Sequence, residues 1–167
     1  VGANVSVVVA HESLNGGLAG LARRLKALRG ATASAGYDDQ VHPETVDDPE
    51  GPRTVAEIAM RNNFGIDAPE RPFMDISMRE GRDILSKYAR VAVKKMLDKP
   101  SVAAMAPLAL AMARSIVDTI DSQVPPPNAA ATVAKKGFDH PLIESGYMRA
   151  NTKAWAKVRG SEKLVEG

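Results

Sequence analysis

Three histidines, many carboxylates and a run of glycines are the residues of this chain with the means to do chemistry. His11-Glu12 begins as a zincin helix would, but Asn15 stands where the second imidazole belongs. That site needs two histidines on one helix face, so no such site is expected. His42 and His140 each precede a proline in segments that read as loops, and both are expected at the surface. Without a single cysteine, the chain has no disulfide framework, thiolate zinc site or cysteine nucleophile.

No Gly-x-Ser-x-Gly elbow occurs, and Gly16-Gly17 with Gly20 lacks the spacing of a phosphate-binding loop. The pairs Asp38-Asp39 and Asp47-Asp48 fall in a polar loop, where nothing would raise a carboxyl pKa for acid–base work. The expectation is no catalytic residue, no cofactor, no metal and no enzyme.

The elements that carry these residues follow from periodicity. At 167 residues the chain suits one domain, read as residues 1–160 with a tail at 161–167. Aromatics make up only 4%, so the core must rest on Ala, Val, Leu, Ile and Met. Val5, Val7 and Val9 alternate as in a short strand. Leu14, Leu18, Leu21, Leu25 and Leu28 recur at four and three, one stripe of a helix that Gly30 ends. Ala31 to Tyr37 suggests a second strand, and residues 38–53 a long acidic loop broken by Pro43, Pro49 and Pro52.

Thr54 with Glu57 forms a capping box for a helix over Val55–Asn63 that ends near Gly65. A longer helix is expected from Ser77 to Leu97, with Ile84, Leu85, Tyr88, Val91, Ala92 and Met96 inward. Its other face would carry Arg79, Arg82, Lys87, Arg90 and Lys94. After Pro100 another helix reaches Ser122, with Met105, Ala109, Met112, Ile116 and Ile120 on one side. Pro107 either kinks it or marks its first turn. Asn128 should cap a short helix to Lys136, and Gly137 should stop it. A further turn of helix is expected near Ile143–Arg149, then a last strand near Thr152–Val158 with Ala154, Ala156 and Val158 on one face. These elements make a small α+β domain: a sheet of about three to four strands packed by two longer helices, with a long acidic loop.

No apolar run is read as approaching the roughly 20 residues that span a bilayer, and the start lacks a basic leader region. A soluble protein made in a cytoplasm is expected. The net charge of +2 demands neither nucleic acid nor membrane as partner. A basic stripe such as Arg79–Lys94 is usually a solvated face, though positive charge alone allows nonspecific contact with duplex DNA. With Tyr88 placed inward, no aromatic interleaves with that stripe as a stacking platform.

Two segments punctuate the chain. In Arg71-Pro72-Phe73 a cation, a fixed bend and a large ring follow one another. This reads as a chain reversal with Phe73 in the core and Arg71 free to bond carbonyls or a neighbour. In Pro141-Leu142-Ile143-Glu144-Ser145-Gly146-Tyr147-Met148, Leu142 and Met148 read as anchors and Ser145-Gly146 as a turn or cap.

The ordered set Asn62-Asn63-Phe64-Gly65, Pro69-Glu70-Arg71-Pro72-Phe73, Pro126-Pro127-Asn128, Lys136-Gly137 and Pro141-Leu142-Ile143-Glu144-Ser145-Gly146 resembles a family of siphophage neck and tail-completion proteins. That family includes relatives of the phage lambda tail-completion protein and, more distantly, of a phage Mu virion-morphogenesis protein. The likeness covers Val5 to Val158. Asn63 stands where the family usually has an acid, Glu144-Ser145 where it has Asp-Thr, and Asn151-Thr152 where it tends to Ser-Ile.

The resemblance implies a structural virion protein that forms or completes a ring at the head–tail junction, assembled in the host bacterial cytoplasm. Its partners would be six or twelve copies of itself and other neck proteins, such as head-closure, tail-terminator or tail-tube subunits. One heterologous interface repeated to closure builds such a ring. Asp38, Asp39, Asp47 and Asp48 of the loop, opposite Arg79, Arg82, Lys87, Arg90 and Lys94, are the candidate contacts between subunits. A small DNA-binding or packaging accessory protein using the Arg79–Lys94 face is the second reading.

Overall fold

The computed structural model describes residues 17–158 and 161–165. The expected strand at Val5–Val9, Leu14 and the His11-Glu12 pair lie outside the described residues. In chain order the elements are α1 (Gly17–Arg29), β1 (Thr32–Gly36), a 3-10 turn at Pro43–Thr45, α2 (Val55–Phe64), α3 (Phe73–Glu80), α4 (Arg82–Asp98), α5 (Val102–Asp121), α6 (Ala130–Lys136), α7 (Tyr147–Ala150), β2 (Lys153–Val158) and β3 (Ser161–Val165). The fold is α+β, with one antiparallel sheet in the order β1-β2-β3. β3 corrects the expected tail at 161–167: Trp155 pairs with Leu164 and Ala154 with Val165.

Small side chains set the architecture. α5 packs on all three strands and on α3 and α4. Ala109 and Ala113 of α5 meet Ala154 of β2, with Ala33 and Ala35 of β1 alongside. As the alternation predicts, Ala154, Ala156 and Val158 are the buried face of β2. At one end, Ala27, Ala92, Met96 and Met105 close a second cluster against Ala156 and Val158. At the other, Phe73 lies with Val55, Ala59, Ile116, Ile120 and Met148.

α5 is also long and apolar enough, by length and composition, to cross a membrane. That corrects the expectation that no segment comes near that length. Here it is the core helix, and Met105, Ala109, Ile116 and Ile120 are buried as expected. Ser101 caps it, and Pro107 lies inside it beyond the first turn. The bond that a residue-107 N–H would give falls to the carbonyl of Ala103, an exposed residue that water can satisfy.

Two helices show a different face from the one expected. On α1, Ala27 is buried and Leu21 and Leu28 are half-buried, while Leu25 is exposed and Leu18 is 82% exposed. At 100° per residue the pair Leu18/Leu25 sits about 60° round from Leu21/Leu28. The small Ala27 side, not the whole leucine stripe, approaches α4. On α4, Ala92 and Met96 are buried with Leu85 half-buried, but Ile84 is 60% exposed and Tyr88 and Val91 are exposed too. The expected inward set joined two neighbouring stripes about 100° apart, and only one fits against α5.

The expected helix Ser77–Leu97 is in fact two, divided at Gly81. Ser115 of α5 donates its hydroxyl to the Ser77 carbonyl at 2.7 Å. A Cβ on Gly81 would stand 2.5 Å from Ser115 Oγ and 2.8 Å from the Ser77 carbonyl oxygen. Only a bare α-carbon admits that approach.

Candidate functional site

The cluster around Phe73 is organised by a buried cation. Thr54 and Glu57 form the expected capping box of α2, and Gly65 ends the helix at φ 70°. Glu70 returns so close that a Cβ on Gly65 would lie 2.9 Å from the Glu70 Cβ. α3 begins at Pro72, which offers no side-chain cap. Asn63 supplies one across the turn: its Oδ1 accepts the Met74 N–H at 3.1 Å. An acid at position 63 would accept the same bond, so the amide here keeps the contact without the charge.

Arg71 is only 5% exposed and Phe73 is fully buried. The Arg71 Nε donates to the Pro126 carbonyl at 3.0 Å, and Nη2 lies 3.4 Å from both the Pro127 carbonyl and Asn128 Oδ1. The Pro125–Pro126 bond is cis. Burial pushes the Arg71 pKa down and nearby Asp139 opposes this; arginine keeps its charge in such sites. Asp139 in turn accepts the Asn128 N–H at 3.1 Å. Asn128 is therefore part of the clamp, and Ala129 is the N-cap of α6, not Asn128 as expected. Gly137 stops α6 at φ 81° as predicted.

The second punctuating segment comes to the same place. Pro141 is buried, Leu142 and Ile143 pack against the Phe73 cluster, and Met148 is in it. Gly146 takes φ 81° as the N-cap of α7, while Glu144 and Ser145 are exposed. Arg149 clamps Asp121 through two bonds of 2.5 and 2.6 Å, fixing α7 to the end of α5 and lowering the Asp121 pKa. A cavity of about 730 Å³ brings Arg71 and Asn128 together with Leu142, Glu144, Ser145 and Gly146. Asn128 Nδ2 is buried there without a hydrogen-bond partner.

Compared with models of protein families, with curated proteins and with solved structures, the chain matches none.

His42 corrects an expectation: it is buried, not at the surface. Its ring packs edge-on to Tyr147 at 4.8 Å and its Nδ1 accepts the Glu44 N–H. Histidine beside a proline gave no signal of this; the partner lies 105 residues away in sequence. His140 is half-buried, its Nδ1 3.0 Å from the Pro141 carbonyl. Among the described residues, no group of three His, Asp or Glu is placed to hold a metal ion.

The acidic loop is ordered by its own bonds. Thr45 Oγ1 donates to the carbonyls of His42 and Arg53 and accepts the Arg53 N–H. Arg53 pairs with Asp48 at 3.1 Å and Glu50 at 2.5 Å. Asp38 pairs with Lys153 of β2, which lowers the Asp38 pKa. Of the four candidate contact carboxylates, Asp38 and Asp48 are thus engaged within the chain, while Asp39 and Asp47 are exposed. The opposing candidates Arg79, Arg82, Lys87, Arg90 and Lys94 are all exposed, and Arg79 lies 3.9 Å from Glu80. Beside them runs a groove of about 560 Å³ between α4 and α5, lined by Ile84, Leu85, Tyr88, Pro107 and Leu110. Tyr88 therefore belongs to the basic face and not to the core.

Proposed function

We propose that this chain is a structural subunit of a tailed-phage virion, forming or completing a ring at the head–tail junction. The observation that carries the reading is the Arg71 clamp. Asn62, Arg71 and Asn128 come from three of the segments that carry the resemblance to neck and tail-completion proteins and meet at one corner: the Arg71 N–H donates to the Asn62 carbonyl at 2.9 Å, and its side chain reaches the Pro126 carbonyl and Asn128 Oδ1. Residues that are unremarkable one by one have a shared reason to occur in that order. The corner's polar groups are turned inward, and apolar and charged side chains of α1, α4 and the acidic loop are left outward. That distribution suits a part that acts by contact with copies of itself and with other neck proteins.

Particles made without this chain are the test. Unjoined heads and tails in electron micrographs are the expected result; joined, infectious particles overturn the reading.

The exposed basic face of α4 favours a second reading, contact with duplex DNA. Retardation of DNA by the purified chain that weakens steeply with salt would support it.

A further inference from the structure

The groove between α4 and α5 has apolar walls, with basic residues on the outer side of α4 beyond it. Ile84, Tyr88 and Val91 stand exposed along α4. Lys87, Arg90, Lys94 and Lys95 flank them, also exposed, and no ion pair engages them among the described residues. The groove's own carboxylates are partnered: Asp118 by Arg114 at 2.9 Å and Glu80 by Arg79. An occupant that fits must bring apolar side chains framed by negative charge.

The acidic loop of the same chain has that composition. Val41 and Val46 are exposed on it, with Asp39, Glu44 and Asp47 exposed around them. The loop's one cation, Arg53, is taken up by Asp48 and Glu50. The valines are held out on a fixed frame: Thr45 ties the turn at three points, and Val41 bridges to Thr54. A preorganised protrusion loses little further conformational freedom when it docks.

We propose that the loop of one copy, with Val46 at its tip, seats in the α4–α5 groove of the next copy. The pairing is head-to-tail: the two surfaces differ, so each subunit keeps one of each for further neighbours, and the chain of contacts can close into a ring. Two α4 faces meeting about a two-fold axis would instead set Lys87, Arg90 and Lys94 against their own kind. This inference rests on the ring reading above and names the surfaces that would build it.

The absence of cysteine gives a clean test on the full chain. A double variant, Val46→Cys with Ile84→Cys, is expected to form a covalent ladder longer than dimers on oxidation or with a short bismaleimide. An equimolar mixture of the two single variants should stop at dimers, and each single variant alone should stay monomeric on the gel. Both positions are exposed, so folding is not at stake. Val46→Asp should weaken self-association by about tenfold in sedimentation, the loss expected for one buried valine. Dimers of the Ile84→Cys variant alone would overturn the proposal in favour of a two-fold face. So would a double variant that forms no ladder, whether the chain sediments as a ring or as a monomer. If Lys87→Glu abolished DNA retardation and left sedimentation unchanged, the groove would belong to DNA and the proposal would fall. A sedimenting ring without the ladder leaves the head–tail reading standing, whereas joined particles lacking the chain remove that reading and not the cross-link.

Discussion

The Arg71 corner and the α4–α5 groove use their side chains in opposite ways. In the corner, groups with chemical potential are consumed by the fold: a guanidinium is buried on proline carbonyls and an asparagine caps a helix across a turn. In the groove, side chains that a fold would normally bury, Ile84, Tyr88 and Val91, face outward. Residue type alone would have assigned the two roles the other way round. A cation turned inward marks structure here, and an isoleucine turned outward marks an available surface.

The sharpest way to break that contrast is to remove the corner's cation. Arg71→Ala should lower unfolding free energy by about 3 kcal/mol, since it removes the charged hydrogen bonds to Pro126, Pro127 and Asn128 and leaves a void where a buried side chain stood. Arg71→Lys should recover little, because an ammonium cannot fork between Pro126, Pro127 and Asn128. Denaturant melts of the three proteins decide it; a loss under 1 kcal/mol for Arg71→Ala would mean the clamp is incidental.

A pH measurement sharpens the same side of the comparison. Tyr37 lies edge-on to Phe73, at 6.4 Å between ring centres, and burial pushes its phenol up to about 12. The hydroxyl of Thr152 donates to it and acts in the lowering direction. Because the folded pKa lies above the unfolded value of about 10, the stabilisation is complete below pH 10 and lost as pH climbs from 10 to 12. Its ceiling is about 3 kcal/mol. Comparison of the wild type with Tyr37→Phe at pH 8 and pH 11 should show the variant losing less on the alkaline side.

The smallest effect belongs to the groove. Ile84→Ser and Tyr88→Ser should change the stability of the isolated chain by no more than about 0.5 kcal/mol, as exposed substitutions do. A loss of 2 kcal/mol in either melt would place those side chains in the core after all.

Local rules were enough for much of this architecture. The capping box at Thr54, the stops at Gly65 and Gly137, and the alternation of Ala154, Ala156 and Val158 all depend on near neighbours in sequence. Arg71 and Phe73 were legible as a reversal with a buried ring, but the proline carbonyls that receive the guanidinium lie 55 and 56 residues away. The break at Gly81 escaped for the same reason: a lone glycine inside a helical pattern reads as tolerable, and the serine that requires it stands on another helix. On α1 the leucine stripe misses Ala27, which faces inward where the helix approaches α4. On α4, Ala92 and Met96 face inward as the pattern has it, and only the neighbouring stripe of Ile84, Tyr88 and Val91 is left outside, because a helix packs one such stripe against its partner. β3 opens on Ser161, Glu162 and Lys163 with only Leu164 and Val165 after them, a composition that suits a tail as well as an edge strand until a partner strand is present.

The alanine seam between α5 and the sheet has a mechanical consequence. Where Ala109 and Ala113 meet Ala154, the seam itself is built of single methyl groups, which have no rotamer to change under a displacement. Close-packed interiors of this kind compress little and pass strain onward. A load applied to the outer ridge of α5 would reach the strands almost undiminished, so helix and sheet would move as one stiff plate.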